Sequence, residues 1–454
     1  MKELSLKKII SLHKLNIDKD YIIKYVTNDI TKIANDTLVY HITREDELNY
    51  EAFYQLSNCF IITDQPILND KRSDNFLFVT DVNKAYSEFT TYYRSLFNIP
   101  VVAITGTCGK TTTKEMITQV LRNKYQVAAT VSNKNHLNYN HDYLMSIDDN
   151  TKFGVFETAI SAPGYLITGC NIFKPTIGII TTIGVDHLNG CKTLDNYIKT
   201  KGEMLAGLNY QGTLIINSDD ENIKKINMTH YKGKVITFGI KEKADFFGYN
   251  IKYLNNSMAF TFIYDNNKYD AFIPGLGEHN VLNALAAIAC LIQLGVNIHE
   301  IIYYLHYFKH LKNHCEVKQG INESTIIDDS WSSNPTSIEA SLKVLSNLGK
   351  NKTKLAVFGK ISYLGDYVDH YYNKIAQTII NEKIDFFISI DSFAKQIGKN
   401  LMNNGFPKNR IIHCKDEKEL ISTLETLLDS KSLVLFKTSM LDKSSTNIIK
   451  NLTI

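Results

Sequence analysis

The sequence lacks long hydrophobic runs. No stretch of its 454 residues approaches the roughly 18 uninterrupted apolar residues that a membrane-spanning helix needs, so no transmembrane helix is expected. The N-terminal stretch, MKELSLKKIISLHKL, starts with a basic residue but has no continuous apolar core and no small-residue cleavage site. It therefore favours an amphipathic helix over a secretory signal peptide.

The net charge is also small, and no two cysteines lie close together in the sequence. A formal net charge of +3 gives no electrostatic reason to expect nucleic acid or a membrane surface as the main partner. The seven cysteines are scattered and form no CxxC pair, which argues against a disulfide framework or a zinc site. Buried thiols in a reducing compartment are expected instead, and the chain is predicted to be cytoplasmic.

The remaining composition, 44% apolar and 21% charged, is that of an ordinary globular protein. Residues 1–98 are polar and mixed, and a predicted helix over Val82–Leu96 ends before Pro100, which marks the first domain boundary. Residues 99–308 alternate β-branched strands with helices, as in a parallel sheet covered on both faces. Within them, Asn-Asn turns at 255–256 and 266–267 predict added hairpins, and two helices follow at 279–294 and 298–308.

Residues 309–454 contain a second alternating series. Its predicted strands lie at 325–328, 354–358, 385–390, 410–414 and 433–437, at the spacing of a doubly wound sheet. The predicted fold class is therefore α/β with three domains. These are a small mixed α/β N-terminal domain (1–98), a central P-loop-type doubly wound sheet with added β hairpins (99–308), and a C-terminal Rossmann-like doubly wound domain (309–454).

The strongest local motif is VVAITGTCGKTTTKEM, a predicted strand over Val101–Ile104 that breaks into a glycine-hinged loop and a helix. Gly106 and Gly109 would let backbone N–H groups converge on a phosphate chain, next to the positive end of the helix and the Lys110 ammonium. Thr111 would offer a hydroxyl to Mg²⁺. Because Ile104 stands where the full phosphate-loop motif has its first glycine, a glycine-rich turn without a ligand is the alternative.

Three further side chains are candidates for the same crevice. Glu157 ends a predicted strand, and Asp186-His187 follows the next one, so all lie where parallel strands point towards a ligand. Metal ligation by Glu157 and His187 competes with ordinary structural roles, such as a solvated strand-end glutamate. For Lys201 in IKTKGEML, the residues alone favour a solvated helical lysine, unless its amine carries CO₂ as a carbamate.

Seven motifs follow one another in the order and spacing of the Mur ligases, and the sequence resembles that family most densely from about 94 to 350. The motifs are GTCGKTTTKE, FETAISAPG, KPTIGIITTIGVDHL, KGEMLAGL, GTLIINSDD, GEHNVLNALAAIA and IDDSWSSNPTSIEA. The resemblance implies an ADP-forming ligase that activates a carboxylate as an acyl phosphate before an amine attacks. It also implies ATP and two Mg²⁺ ions as cofactors and small-molecule acid and amine substrates. We also expect a monomer.

The resemblance also implies roles for matching residues. The catalytic set is Lys110, Glu157, His187 and Lys201, and the metal set is Thr111, Glu157, His187 and a carbamylated Lys201. The ATP-binding set is Gly106, Thr107, Cys108, Gly109, Lys110, Thr111, Thr112, His279, Asn280, Asn283 and Asp329, with Asp329 on the ribose. The substrate set is Asn138, Asn334 and His370.

Several positions depart from the family pattern. His314, or a neighbour, stands where the family has an arginine at the start of the third domain, and a neutral imidazole cannot replace a bidentate guanidinium on phosphate. Met440 replaces a second arginine, and Tyr363-Leu364-Gly365 lacks the expected glutamate. Residues 1–98 lack a Ser-Arg element for a uridine nucleotide, for which Arg44 is a poor substitute. We therefore expect weak or absent UDP binding there.

Three functions stay open. The first is addition of D-Ala-D-Ala to UDP-MurNAc-tripeptide in peptidoglycan synthesis. The second is the same chemistry on a different acid and amine, in a cofactor or secondary-metabolite pathway. The third is a nucleotide-binding partner protein without ligase turnover, which the retained Lys110, Glu157, His187 and Lys201 argue against.

Overall fold

The computed structural model describes residues 1–42, 50–65, 73–361, 364–439 and 443–453. Contacts between Cα atoms divide the chain into two compact units. The first unit comprises Met1–Ala103, Lys124–Ala159 and Ile167–Thr176, and the second comprises Ile104–Asn123, Ile160–Leu166 and Ile177–Ile454. Within the described residues, no helix is long and apolar enough to cross a membrane.

The N-terminal part of the first unit is a small α/β sheet domain. Its elements are β1 (Leu4–Ser5), α1 (Leu6–Ser11), β2 (Ile22–Ile23), β3 (Tyr25–Thr27), β4 (Thr37–Tyr40), α2 (Tyr50–Gln55), β5 (Phe60–Thr63), β6 (Phe76–Phe78) and α3 (Val82–Ser95). Strands β3 to β6 form a parallel sheet in chain order, and β1 pairs antiparallel with β2. The apolar face of α3 is buried with this sheet in one core.

The prediction of one amphipathic helix over the first 15 residues is wrong in extent. Only Leu6–Ser11 are helical, because the Ser5 hydroxyl accepts the Lys8 N–H at 3.2 Å and so caps the helix at its start. The two residues before the helix are drawn into strand pairing with Ile22–Ile23 instead.

The central elements follow the predicted alternation closely. They are β7 (Val101–Thr105), α4 (Lys110–Arg122), β8 (Gln126–Ala129), α5 (Leu137–Met145), β9 (Thr151–Glu157), α6 (Tyr165–Phe173), β10 (Ile177–Ile180), α7 (Leu188–Cys191), α8 (Leu194–Gly207), β11 (Thr213–Asn217), β12 (Lys234–Gly239), β13 (Phe246–Leu254), β14 (Ser257–Tyr264), β15 (Asn267–Pro274), α9 (Glu278–Gln293) and α10 (Ile298–His306).

Strand pairing confirms parallel strands with added hairpins. In the first unit, β8 pairs parallel with β9, and the Gly154 N–H donates to Pro100 O beside the start of β7. In the second unit, the Thr181 N–H donates to Thr105 O at the end of β7, and β10 to β13 are parallel. Strands β13, β14 and β15 pair antiparallel.

The first hairpin turn lies at 255–256 as predicted, but the second lies one residue earlier than predicted. It consists of Asp265 and Asn266, both with positive φ (49° and 60°), because Asn267 already pairs with Tyr264 in the ladder. A two-residue turn of this kind needs positive φ at both positions, which Asp and Asn tolerate.

The C-terminal part of the second unit is the predicted second α/β sheet. Its elements are β16 (Glu316–Gln319), β17 (Thr325–Asp328), α11 (Pro335–Leu348), β18 (Thr353–Phe358), α12 (Val368–Asn381), β19 (Phe386–Ser389), α13 (Lys395–Asn403), β20 (Ile411–His413), α14 (Glu417–Leu427), β21 (Ser432–Lys437) and α15 (Lys443–Leu452). The strand order is β16-β17-β21-β18-β19-β20.

All five predicted strands of this sheet are present and parallel, and a sixth was missed. Strand β16 pairs antiparallel with β17 at the edge of the sheet. Its sequence, EVKQ, is too polar and too short to give a strand signal. The boundaries at 98/99 and 308/309 stay predictions.

Candidate active site

The glycine-hinged loop between β7 and α4 has the backbone that its sequence predicts. Gly106 and Gly109 adopt φ of +150° and +84°. A Cβ atom added to Gly106 would lie 1.9 Å from Thr181 Oγ1, and one added to Gly109 would lie 2.2 Å from Asn283 Oδ1. Only glycine fits at these positions, because any side chain would displace the loop from its supports.

The protein holds the three carbonyl groups of this loop by hydrogen bonds from side chains. Lys201 Nζ donates to Gly106 O at 2.9 Å, Lys110 Nζ donates to Thr107 O at 3.1 Å, and the Thr181 hydroxyl donates to Cys108 O at 2.6 Å. A loop whose carbonyl oxygens are satisfied by the protein can turn its N–H groups towards an anion.

Thr107 fixes the loop on its other side. Its N–H donates to Thr182 O at 2.7 Å, its Oγ1 accepts the Gly184 N–H at 2.9 Å, and the same Oγ1 lies 3.1 Å from the Tyr197 hydroxyl. Thr111 and Thr112 then lie in the first turn of α4, where Thr112 is buried. The helix therefore begins directly at the loop, with its positive end next to the loop N–H groups.

Lys201 lies on α8 and is almost fully buried, with 1% of its surface exposed. Besides Gly106 O, its ammonium donates to Thr105 Oγ1 at 3.2 Å and lies 5.1 Å from the centre of the Tyr197 ring. The interpretation of Lys201 as a solvated helical lysine is therefore wrong, since the side chain contacts the phosphate loop.

His187 follows β10 in a left-handed conformation, with φ of 52° and ψ of 27°. Its N–H donates to Asp186 Oδ1 at 2.8 Å. Burial lowers the pKa of the His187 imidazole, the Asp186 carboxylate opposes this, and the Lys201 and Lys110 ammonium groups add to it. A neutral imidazole close to both lysines can act as a ligand or a hydrogen-bond partner.

Glu157 belongs to the first unit and ends β9 with 1% of its surface exposed. Its N–H donates to Thr130 Oγ1 at 2.9 Å, and its Oε1 accepts Asn135 Nδ2 at 2.6 Å. The alternative of a solvated strand-end glutamate is therefore wrong. Sequence reasoning missed Asn135 and chose Asn138, which is exposed near the start of α5. Several asparagines crowd the NKNHLNYN stretch, and spacing alone could not separate them.

Three residues of the predicted ATP-binding set, His279, Asn280 and Asn283, lie at the start of α9, next to the phosphate loop. Asn280 Nδ2 donates to Leu276 O at 2.8 Å, and Asn283 Oδ1 lies 3.5 Å from the Thr113 hydroxyl of α4. Burial lowers the pKa of His279 to about 4, against the smaller opposing effect of the Asp329 carboxylate. The structure therefore places His279, Asn280 and Asn283 with the loop in one unit.

Asp329 forms an ion pair that sequence reasoning missed. It follows β17, and its Oδ2 accepts Lys437 Nζ at 2.6 Å from the end of the neighbouring parallel strand β21. Burial alone would raise the pKa of Asp329, but the Lys437 ammonium, its hydrogen bond and the nearby histidines hold that pKa below its usual value. Asp329 is therefore an anion in a buried setting.

The predicted substrate residues occupy separate places. Asn334 caps α11, since its Oδ1 accepts the Ser337 N–H at 2.9 Å, and it also accepts the Cys108 thiol at 3.4 Å. His370 is exposed on α12, against the ring of Tyr371. The substrate roles of Asn138, Asn334 and His370 stay predictions.

The replaced arginine positions are only partly described. The ring of His314 lies 5.2 Å from that of Trp331, and its Nδ1 is 2.7 Å from Lys312 O. Arg44, Tyr363 and Met440 lie outside the described residues. The sequence contains no arginine between Arg122 and Arg410, so the positive charges of α8 and of most of the C-terminal sheet come from lysine.

Two family models match the chain. The Mur ligase middle domain matches residues 104–291, and the Mur ligase, glutamate ligase domain matches residues 315–440. The UDP-N-acetylmuramoyl-tripeptide–D-alanyl-D-alanine ligase of Bacillus subtilis is 26% identical over 390 residues, covering 86% of this chain and 84% of the relative. The ligase of the same name from Buchnera aphidicola subsp. Acyrthosiphon pisum is 30% identical over 332 residues, covering 73% of this chain and 72% of the relative.

Solved structures agree in fold. A crystal structure of MurF from Acinetobacter baumannii has a TM-score of 0.85 at 23% identity, covering 100% of this chain and 99% of that one. MurF ligase from Thermotoga maritima, solved in complex with ADP, has a TM-score of 0.79 at 20% identity, covering 94% and 98%. The predicted three-domain α/β fold is confirmed, and the chain belongs to the Mur ligase family of ATP-dependent peptide ligases.

Proposed function

We propose that this Mur ligase joins D-Ala-D-Ala to the carboxylate of UDP-MurNAc-tripeptide and converts ATP to ADP and phosphate. The observation that carries the proposal is the anchoring of Lys110 and Lys201 on successive carbonyl groups of the phosphate loop, Thr107 O and Gly106 O. The relatives that bear this activity in their names, among them the Bacillus subtilis ligase, support the choice of substrates.

The loop and α4 would hold the phosphate chain of ATP. Lys110, the first residue of α4, would lie by the terminal phosphates, and the positive end of the helix would favour their charge. During transfer, negative charge shifts from the γ-phosphoryl group to the β-phosphate oxygens. A fixed ammonium and fixed N–H groups stabilise that charge without having to reorganise.

The donor set fits Mg²⁺. Within the described residues, no three His, Cys, Asp or Glu side chains form a ready-made cage. Mg²⁺ prefers one or two protein oxygen ligands together with phosphates and water. Thr111, Glu157, His187 and a carbamylated Lys201 would hold two ions, which would neutralise the crowded phosphate oxygens when bound.

The proposed reaction proceeds through an acyl phosphate. A carboxylate oxygen of the acid attacks the γ-phosphorus of ATP, and ADP leaves with the electrons of the broken P–O bond. The amine nitrogen then attacks the acyl carbon, loses a proton, and the tetrahedral intermediate expels phosphate. Most of the catalysis by the protein would be positioning of the acid, the amine and ATP together with electrostatic stabilisation.

The test is ADP release with UDP-MurNAc-tripeptide and D-Ala-D-Ala. Lys201→Ala should abolish most turnover, because it removes the contact with Gly106 O and the carbamate that would supply anionic oxygen to Mg²⁺. Lys199→Ala is the matched control, since Lys199 lies exposed on the same helix two residues away. No ADP release from the intact chain with this acid and amine would refute the proposed substrates, and equal rates for the two variants would refute the role of Lys201.

A second candidate, a Mur-type ligase acting on another acid and amine, is favoured by the loss of the two arginines at His314 and Met440. This candidate is consistent with weak UDP binding by the N-terminal domain, which stays a prediction. Calorimetric titration with UDP-MurNAc-tripeptide decides: micromolar binding supports the peptidoglycan substrate, and absent binding with normal ATP binding supports the second candidate. A panel of acids and amines assayed for ADP release would then identify the pair, and no release with any of them would leave a nucleotide-binding protein without turnover.

Location and assembly belong to the same proposal. A ligase that consumes ATP, with seven free cysteines in the described residues, suits the reducing conditions of the cytoplasm. We expect a monomer, which sedimentation of the intact chain would check.

A further inference from the structure

We infer that Lys437 is a positioning residue for the nucleotide: its ammonium holds the Asp329 carboxylate in the orientation that accepts a ribose hydroxyl. The inference rests on the proposed ATP-dependent function, and on the ribose contact of Asp329 that the resemblance to the Mur ligases implies. It adds a residue that acts through Asp329.

The two residues lie at the carboxyl ends of adjacent parallel strands. Asp328 of β17 is paired with Phe436 of β21, so Asp329 and Lys437 are the next pair along, and the Asp329 N–H donates to Phe436 O at 3.0 Å. Lys437 Nζ then reaches Asp329 Oδ2 at 2.6 Å. Strand ends of this kind face the ligand crevice in open α/β sheets.

The Lys437 side chain has no exposed surface, and that of Asp329 is 11% exposed. The Cys315 N–H donates to Asp329 Oδ1 at 3.3 Å and Lys437 Nζ donates to Oδ2, so the protein holds both carboxylate oxygens. A carboxylate has about four acceptor sites. The two fixed bonds therefore define the carboxylate plane and leave acceptor capacity for ribose hydroxyl groups.

Removal of Lys437 would release this orientation. The carboxylate would then be a buried anion without the Lys437 counter-charge, held at Oδ1 by the Cys315 N–H. It would rotate towards water or take up a proton, and in either case it would no longer accept from the ribose in a fixed direction.

The neighbouring residue offers a matched control. Asp328 points to the opposite face of β17 and accepts Lys318 Nζ at 2.5 Å, so it forms a second lysine–carboxylate pair on the same strand. The Asp328 side chain is 3% exposed, so this second pair is also buried at its carboxylate. Lys318→Met breaks the second pair and leaves Asp329 and Lys437 in place.

The experiment compares ADP with 2′-deoxy-ADP and 3′-deoxy-ADP by titration of the full chain. Trp331 is the only tryptophan in the sequence and lies two residues after Asp329, so its fluorescence provides a probe close to the proposed nucleotide site that needs no acid or amine substrate. Wild type should bind ADP about tenfold or more tightly than at least one deoxy analogue, because a hydrogen bond to a charged acceptor is lost. Asp329→Asn and Lys437→Met should both bring that ratio close to one, and Lys318→Met should leave it unchanged.

The titration results separate the role of Lys437 from that of Asp329. If Asp329→Asn loses the ratio and Lys437→Met keeps it, Lys437 does not position Asp329, although the ribose role stands. If wild type shows no preference while ADP still binds, the ribose role of Asp329 fails, and the inference fails with it. If Lys437→Met does not fold, Lys437→Gln replaces it, because the amide keeps a donor to Asp329 without the charge. The ratio should then fall at least about threefold, since neutral hydrogen bonds are weaker, and an unchanged ratio overturns the inference.

Discussion

Gly109→Ala should destroy nucleotide binding. Alanine would bring both backbone strain and a clash with Asn283, and a second glycine in the chain offers a control for the strain alone. Gly109 has φ of +84° and sits against Asn283, whereas Gly295 has φ of +83° with nothing within 4 Å of where its Cβ would lie. Alanine in this left-handed region costs about 1–2 kcal/mol at either position. Gly295→Ala therefore has the backbone strain alone.

At Gly109 the new methyl group would also lie 2.2 Å from Asn283 Oδ1, so the buried Asn283 side chain or the loop has to move. If the movement removes two N–H bonds to phosphate, each worth about 1.5–3 kcal/mol, ADP affinity falls by about 3–6 kcal/mol. That is roughly two to four orders of magnitude in Kd. Gly295→Ala should change ADP affinity less than about twofold, because its strain is present in both the free and the bound state.

Isothermal titration of both variants with ADP provides the measurement, and the thermal midpoint of each variant shows how much stability the strain costs. Equal ADP affinity for Gly109→Ala and Gly295→Ala would refute the reasoning. It would mean that the loop does not need its close approach to Asn283 in order to bind phosphate.

Three further results are expected. Added bicarbonate or short carboxylates should partly restore turnover to Lys201→Ala, because a small anion can supply the oxygen ligands that a carbamate would give; a full rate without any additive would contradict the carbamate. Product analysis should find ADP and phosphate, and AMP formed in step with amide would contradict the acyl phosphate. Burial lowers the pKa of His279 and His310 to about 4, so the folded state binds fewer protons than the unfolded state. Stability should therefore be complete above about pH 6.5 and fall towards pH 4, by up to about 3 kcal/mol for each histidine; a urea midpoint equal at about pH 7 and pH 5 would contradict the burial of these rings.

The sequence predicts the features of this molecule that are local in the chain. The loop between β7 and α4 carries its own signal, because glycines with positive φ, a buried strand before them and a helix after them are consecutive residues. The parallel strands of the central and C-terminal sheets are found for the same reason, as short apolar runs bounded by turns. Polar edge strand β16 has no such signal and is missed.

Features that depend on distant residues are beyond sequence patterns. Burial of Lys201 is one, because the pattern of α8 alone indicates a solvated lysine, while its partner carbonyl lies 95 residues earlier. The Asp329–Lys437 pair joins residues 108 positions apart, and only the register of β17 against β21 brings them together. The contact between Asn135 and Glu157 spans only 22 residues, but it still depends on how the loop before α5 folds.

Lysine supplies the positive charge at three contacts of the candidate site. A guanidinium brings a rigid, planar set of donors to a phosphate, whereas an ammonium is a point charge on a flexible stem whose position the protein must supply. Lys110 is fixed on Thr107 O, Lys201 on Gly106 O, and Lys437 on Asp329. A Mur ligase whose site relies on these three lysines should therefore be sensitive to the anchors of the lysines as well as to the lysines themselves, and the ribose test of Asp329 and Lys437 measures that sensitivity directly.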